Sequence, residues 1–357
     1  MSARPVRVLI IDDSALVRRV LNEGLSQDPE IEVIGVATNP YAARDILVRE
    51  RPDVITLDIE MPRMDGLTFL KKYMAVMPTP TIILSSLTQT GKKITIEALE
   101  AGAVHVVAKP VVGLSDFLPE ILSDLREKIK QAAQVPVARY ARRMQTDSTP
   151  EQARPLLVET RKSLEESTDQ VIALGASTGG VEAVARILPL FPPVTPGIVI
   201  VEHMPAGFTA SFAERLNTIS QITVKEAEEG DRIRPGLALL APGGDRHLSV
   251  RRSGGQYLIH LIDGEKVSGH RPSVDVCFES LAQEVGKNAV GVLMTGMGSD
   301  GARGLLKMRQ AGARTFVQNA ETCVVYGMPD VAMKMGAAEK ALALMDIPAT
   351  VLKALNF

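Results

Sequence analysis

The sequence predicts an α/β protein of two domains, each a doubly wound parallel sheet, the second being larger, three-layered and furnished with an antiparallel hairpin. Three observations carry this expectation. At 357 residues the chain is long for one hydrophobic core and comfortable for two. Short apolar runs alternate with amphipathic helical stretches, the pattern of β-α units that build a parallel sheet. The alternation lapses once, from about 133 to 169, where three prolines and many polar residues interrupt it. We therefore expect a first domain over 1–125, a linker over 126–168 and a second domain over 169–357.

In chain order, VRVLIID (6–12), IEVIGVA (31–37), PDVITLDI (52–59), PTIILSS (80–86) and AVHVVAKP (103–110) read as five buried strands. Apolar runs of that length need cover on both faces. SALVRRVLNEGLSQ and GKKITIEALEAG space their apolar residues as amphipathic helices do. QVPVARYARRMQTDSTPEQARPLLVETRKSLEESTD supports no sustained strand and reads as linker with one short helix. Its Arg139, Arg142 and Arg143 form a basic cluster that contacts either a partner or only solvent. Beyond it, QVIALGAS, GIVIVEHM and AVGVLMTG are the clearest buried strands. GLALLAPGGDRHLSVRRSGGQYLIHLIDGE joins strand-like segments through Gly-Gly pairs, which predicts one or two antiparallel hairpins attached to the second sheet.

Composition excludes several classes. A net charge of -2 leaves no global footprint for nucleic acid or an anionic membrane. Cys277 and Cys323 are the only cysteines, which suits a reducing compartment and argues against a disulfide framework. The five histidines show no His-Glu-x-x-His spacing. No apolar run approaches the ~20 residues needed to span a bilayer. The start, MSARPVRVLIIDDS, turns acidic too soon for a signal peptide. A cytoplasmic protein with no nucleic-acid partner and no direct membrane insertion is expected.

The first chemistry is acidic. Asp12 and Asp13 end the first strand and Asp58 ends the third, so a parallel sheet brings their carboxylates to one crevice at its carboxyl edge. Like charges so placed call for a cation, and oxygen donors suit Mg²⁺. Ser85 and Lys109 end the fourth and fifth strands, where a hydroxyl and an ammonium can hold the oxygens of a phosphoryl group on Asp58. Any one such residue at a strand end is unremarkable, since loops are polar; five in order at successive ends are not.

Asp12-Asp13, Asp58 followed by IEMPRMDG, Ser85 and Lys109-Pro110 together resemble the receiver domain of two-component response regulators, over about 4–125. The resemblance implies a flavodoxin-like fold, a phosphoryl group accepted by Asp58 from a histidine kinase, Mg²⁺ held by Asp12, Asp13 and Asp58, and a switch through Ser85 and Lys109. One departure stands out: the aromatic residue common three places before the lysine is Val106.

The second domain must then supply the output. Gly175-Ala176-Ser177-Thr178-Gly179 matches Gly-x-Ser-x-Gly between a strand and a helix, where small neighbours permit a sharp turn under a nucleophilic hydroxyl. Alone the motif is weak, because a phosphate-cradling loop also wants glycines here. His203 follows the next clear strand and Asp300 lies in a glycine-rich loop after another, so base and orienting carboxylate reach the same edge. His247, His260 and His270 are rival bases, His270 in GHRPSVDVCF the most serious. A nucleotide-binding output and a DNA-binding one remain alternatives, the latter disfavoured by the balanced charge.

IALGASTGG, VEHMP, GHRPSVDVCF and LMTGMGSDG, following a receiver and linker, are similar to the chemotaxis protein-glutamate methylesterases across essentially the whole chain. The resemblance implies that Ser177 is the nucleophile, His203 the general base and Asp300 its orienter. It also implies that the backbone at Met297 helps hold the oxyanion and that Thr178 supports the histidine. It further implies methyl-accepting chemoreceptors as substrate, a chemotaxis histidine kinase as phosphodonor, glutamine deamidation as a second activity, and no cofactor for ester hydrolysis.

Overall fold

A computed structural model describes residues 4–109, 118–137 and 169–356. The chain divides into two compact units, Met1–Thr149 and Pro150–Phe357.

In the first unit β1 (Val6–Ile11), β2 (Ile31–Ala37), β3 (Val54–Asp58), β4 (Thr81–Ser85) and β5 (His105–Ala108) form one parallel sheet in the order β2-β1-β3-β4-β5. Every residue of β3 and β4 is buried, as strands covered on both faces must be. The helices between them start where the sequence offers caps. Ser14 opens α1 (Ala15–Leu25), Asn39 opens α2 (Pro40–Glu50), Asp65 opens α3 (Gly66–Val76) and Thr88 opens α4 (Gln89–Glu100), each accepting a first-turn amide. The order reverses between β1 and β3, so the loops after those strands flank one crevice.

The last helix of this unit, α5 (Leu118–Ala132), runs past residue 125, where the sequence reading ended the domain. Leu122, Leu125 and Ile129, three and four apart, are buried, and Lys130 reaches Asp28 and Glu30. The expected linker start at 126 is therefore corrected: an apolar stripe and ion pairs keep those residues in the first unit. Pro110, Arg139, Arg142 and Arg143 lie outside the described residues.

The second unit holds a seven-stranded sheet, parallel throughout, in the order β14-β13-β12-β6-β7-β9-β8. Its strands are β6 (Val171–Ala176), β7 (Gly197–Glu202), β8 (Thr223–Glu226), β9 (Leu237–Leu240), β12 (Ala289–Leu293), β13 (Arg314–Gln318) and β14 (Lys340–Leu342). Helices α6 (Gly180–Ile187), α7 (Thr209–Ile219), α8 (Val274–Glu284), α9 (Ala302–Gln310), α10 (Met328–Lys334) and α11 (Ile347–Ala354) follow in the chain. A separate antiparallel hairpin pairs β10 (Arg246–Ser253) with β11 (Gln256–Asp263). Leu248, Val250, Ile259 and Leu261 of the hairpin share a core with Cys277, Phe278 and Leu281 of α8.

One expectation here is refined. The segment LALL, read with the hairpin, is instead β9 of the main sheet, because all four of its side chains are buried and need cover on both faces. Cys277 is buried and Cys323 partly so, and neither is in a disulfide. Among the described residues no helix is long and apolar enough to cross a membrane.

Candidate functional site

In the first unit the strand ends deliver their side chains as a parallel sheet dictates. Asp12 is fully buried, Asp58 nearly so, and Asp13 is exposed. One carboxylate oxygen from each lies within 4.8 Å of the others. The Lys109 ammonium stands 2.8 Å from both Asp12 Oδ2 and Asp58 Oδ1. Backbone amides add to the anion's support: Ser14 N–H donates to Asp12 and Glu60 N–H to Asp58. Burial pushes the Asp58 carboxyl up to about 6, against the pull of the Lys109 ammonium, and the Asp12 charge adds to the rise. Lys109 is held above the usual lysine range: burial opposes its charge, but Asp58 and Asp12 outweigh that. Hard oxygen donors, two of them buried and mutually repelling, fit a small divalent cation.

Ser85 is placed differently from its neighbours. Its buried hydroxyl accepts from Thr95 Oγ1 at 2.7 Å and reaches the Gly91 carbonyl at 3.3 Å, so it is engaged with α4. Val106 is buried in β5.

In the second unit the register sets the site. Ala176 of β6 pairs with Glu202 of β7, so Ser177 and His203, the next residue on each strand, emerge side by side at the carboxyl edge. The strand on the other flank of β6 is β12, and the loop beyond it carries Asp300. His203 Nε2 lies 2.8 Å from Asp300 Oδ2, with both side chains buried. The carboxylate accepts from Nε2–H, which leaves Nδ1 with its lone pair. That nitrogen is buried and has no hydrogen-bond partner among the described residues. No hydrogen bond joins Ser177 Oγ to His203 among them either.

Asp300 is the most heavily bonded group in the site. Its oxygens also accept from Ser273 Oγ (2.7 Å), Val274 N (2.7 Å) and Asp275 N (3.1 Å), at the N-terminus of α8. Burial opposes its charge, yet the hydrogen bonds from His203, Ser273 and Val274, with the nearby imidazole, hold the carboxyl below the usual range.

The Ser177 turn is clamped from the loop after β12. Ser177 N–H donates to Thr295 O at 3.0 Å, and Thr295 Oγ1 donates to Thr178 O at 2.9 Å. Gly296 lies against Ser177: a Cβ there would sit 2.9 Å from Ser177 Cβ, so only glycine admits this approach. Met297 follows it, and its amide donates to no acceptor among the described residues. The Thr178 hydroxyl is buried and unbonded among them.

The rival histidines separate clearly. His270 stacks on His203 with ring centroids 3.7 Å apart and planes 7° from parallel, so it packs on the face of that imidazole. His260 meets Glu229 on the exposed side of the hairpin. His247 is buried between the Glu265 carbonyl and the Ser273 amide. Sequence reasoning missed Ser273, Thr295 and Glu202. The signal for Ser273 was present: Ser-Val-Asp before an apolar run is a helix start, and an anion belongs there.

Glu202 ends β7 beside the Ser177 turn, and its Oε2 has no hydrogen-bond partner among the described residues. A Cβ on Gly180 would fall 2.0 Å from that oxygen, so the carboxyl lies against the start of α6. Burial raises this carboxyl well above the usual glutamate range. A folded value above the unfolded one stabilises the protein below the unfolded value, and the stabilisation is lost as pH rises through the folded value. Glu202→Gln removes that loss. The difference in Tm between variant and wild type is expected to rise from pH 5 to pH 8 in calorimetry; a pH-independent difference would contradict a neutral Glu202.

Taken together, fold and sites define a class: a two-domain α/β protein joining an acidic, lysine-paired crevice to a serine-histidine-aspartate edge. Comparison with known proteins narrows it. Residues 172–351 match the CheB methylesterase family and 8–118 the response regulator receiver domain. A protein-glutamate methylesterase/protein-glutamine glutaminase of Syntrophotalea carbinolica is 52% identical over 96% of this chain and 95% of its own. One from Pseudomonas aeruginosa is 50% identical over 98% and 97%. The crystal structure of the Thermotoga maritima CheB methylesterase catalytic domain superposes with a TM-score of 0.50 at 37% identity, covering 52% of this chain and 97% of that one. The chain belongs to the CheB methylesterase family.

Proposed function

We propose that this protein is a phosphorylation-controlled serine esterase of the cytoplasm. It hydrolyses glutamyl methyl esters of methyl-accepting chemoreceptors, releases methanol, and deamidates receptor glutamines by the same chemistry. The observation that carries the reading is the buried His203–Asp300 pair, whose free ring nitrogen is a base, on the strand end beside Ser177. A phosphate cradle has no use for such a pair.

In this reading Ser177 Oγ attacks the ester carbonyl while His203 Nδ1 takes its proton. The imidazolium so formed is stabilised by Asp300 across the 2.8 Å hydrogen bond. The Met297 amide receives the developing oxyanion. His203 returns the proton to the departing methoxide, giving methanol. Water, deprotonated by His203, then cleaves the acyl-enzyme, giving the γ-carboxylate and restoring Ser177. An amide carbonyl follows the same path with ammonia as leaving group. The unbonded Thr178 hydroxyl oxygen is an acceptor available to Nδ1–H once His203 is an imidazolium.

Regulation is assigned to the first unit, whose receiver extends through α5, the catalytic domain covering 169–357. Asp58 accepts the phosphoryl group from a chemotaxis histidine kinase, and Lys109, already 2.8 Å away, pairs with it. Asp12, Asp13 and Asp58 would hold Mg²⁺, which when bound offsets the charge of the phosphoryl oxygens. Ser85 joins the switch by turning its O–H from the Gly91 carbonyl to a phosphoryl oxygen.

The test is methanol release from membranes carrying methyl-labelled chemoreceptors. Labelled methanol is the expected product; hydrolysis of a small ester without methanol from receptors would retain the esterase and reject its substrate.

A further inference from the structure

His247 is the one buried histidine that the proposed chemistry leaves unused, and its two ring nitrogens are both committed. Ser273 N–H donates to Nδ1 at 3.1 Å, and Nε2 lies 2.9 Å from the Glu265 carbonyl. An amide can only donate and a carbonyl can only accept, so the ring is neutral with its proton on Nε2. No lone pair remains for substrate, which removes His247 as a base.

What it does instead follows from Ser273. That residue caps α8, and its hydroxyl donates to Asp300 Oδ1 at 2.7 Å. The next two amides, Val274 and Asp275, donate to the same carboxylate. Asp300 in turn holds His203. A continuous path therefore runs from the hairpin strand β10 by hydrogen bonds from His247 to the Ser273 amide, through the covalent frame of Ser273 to its hydroxyl, and by hydrogen bonds on to Asp300 and His203. The hairpin end of this path is anchored, since Leu248 next to His247 is fully buried in the core shared with α8.

Resting on the esterase reading, we propose that His247 is a positioning residue: it fixes the Ser273 cap, and through it the aim of Asp300 and the ring of His203. Displacing that aim by even 1 Å can cost ~100-fold in rate. Asparagine at 247 can present a side-chain oxygen near the place of Nδ1 and still accept the Ser273 amide. Leucine fills the cavity but accepts nothing and leaves a buried N–H unpaired.

The full-length protein is compared as wild type, His247→Leu, His247→Asn and Ser273→Ala. Two readouts are used: steady-state methanol release, and the low-field proton resonance of the Asp300-bonded His203 Nε2–H in protein labelled with ¹⁵N-histidine. His247→Leu is expected to lower kcat about 10- to 100-fold with KM within about twofold, and to shift or broaden that resonance. His247→Asn should recover most of both. Ser273→Ala, which keeps its backbone amide, should perturb the resonance as His247→Leu does and keeps the test open if His247→Leu fails to fold. An unchanged His203 resonance in both His247→Leu and Ser273→Ala overturns the proposal, as does His247→Asn proving as impaired as His247→Leu. The resonance needs no substrate, so wild-type protein that releases no methanol would reject the enzymatic reading while the positioning chain is still judged.

Discussion

Ser177→Ala is expected to lower methanol release by about 10⁴- to 10⁶-fold while leaving Tm within a few degrees of wild type. The loss is large because no other group offers a nucleophile on the same turn: the flanking residues are Ala176 and Thr178, and the hydroxyl oxygen of the latter is shut away from solvent. Folding should be spared, since the turn is held through the Ser177 amide and the Thr178 carbonyl, both of which survive the change. Equal activity in variant and wild type would place the nucleophile elsewhere. Release that falls only tenfold would leave Ser177 a binding group, with water attacking directly under His203.

Asp58→Asn is expected to abolish phosphoryl incorporation from a small phosphodonor in Mg²⁺, with basal methanol release retained. The amide has no carboxylate oxygen to attack phosphorus, although it occupies the same volume beside Lys109. Coupling between sites is typically 1–3 kcal/mol, about 5- to 150-fold. Wild-type activity should therefore rise within that span on phosphodonor addition, and the variant should not respond. A normal rise in Asp58→Asn would show that control runs through another residue. Without a cation, burial lifts Asp58 to about 6, and Mg²⁺ held by that carboxylate would bring it down, so raising Mg²⁺ should extend incorporation to lower pH.

Much of this architecture was legible in the sequence for a physical reason. Strands buried on both faces are mostly apolar, so β1, β3, β4, β6, β7 and β12 announced themselves. The half-exposed β2 and the short β5 were legible as well, but three strands were not. β8 reads Thr-Val-Lys-Glu at a sheet edge, β14 has three residues, and β13 hides behind Gln318, a buried amide spent on Thr295 N–H and the Thr322 carbonyl. The end of the first unit was misjudged because α5 is amphipathic, and its charged face resembles a linker when its apolar face has no visible partner.

By itself, then, the sequence determined which residues reach the sheet edges, because strand ends in a parallel sheet are fixed by periodicity and by the glycines and prolines that stop each run. Asp12, Asp58, Lys109, Ser177 and His203 all follow from that rule. Only the tertiary structure decided how they are held. The anchoring of Asp300 at the start of α8, the stacking of His270 on His203, the engagement of Ser85 with Thr95 and the burial of Glu202 depend on loops and helices distant in sequence. Hydrogen-bond direction and desolvation are set by the partner across space, and residue order along one strand carries no record of it.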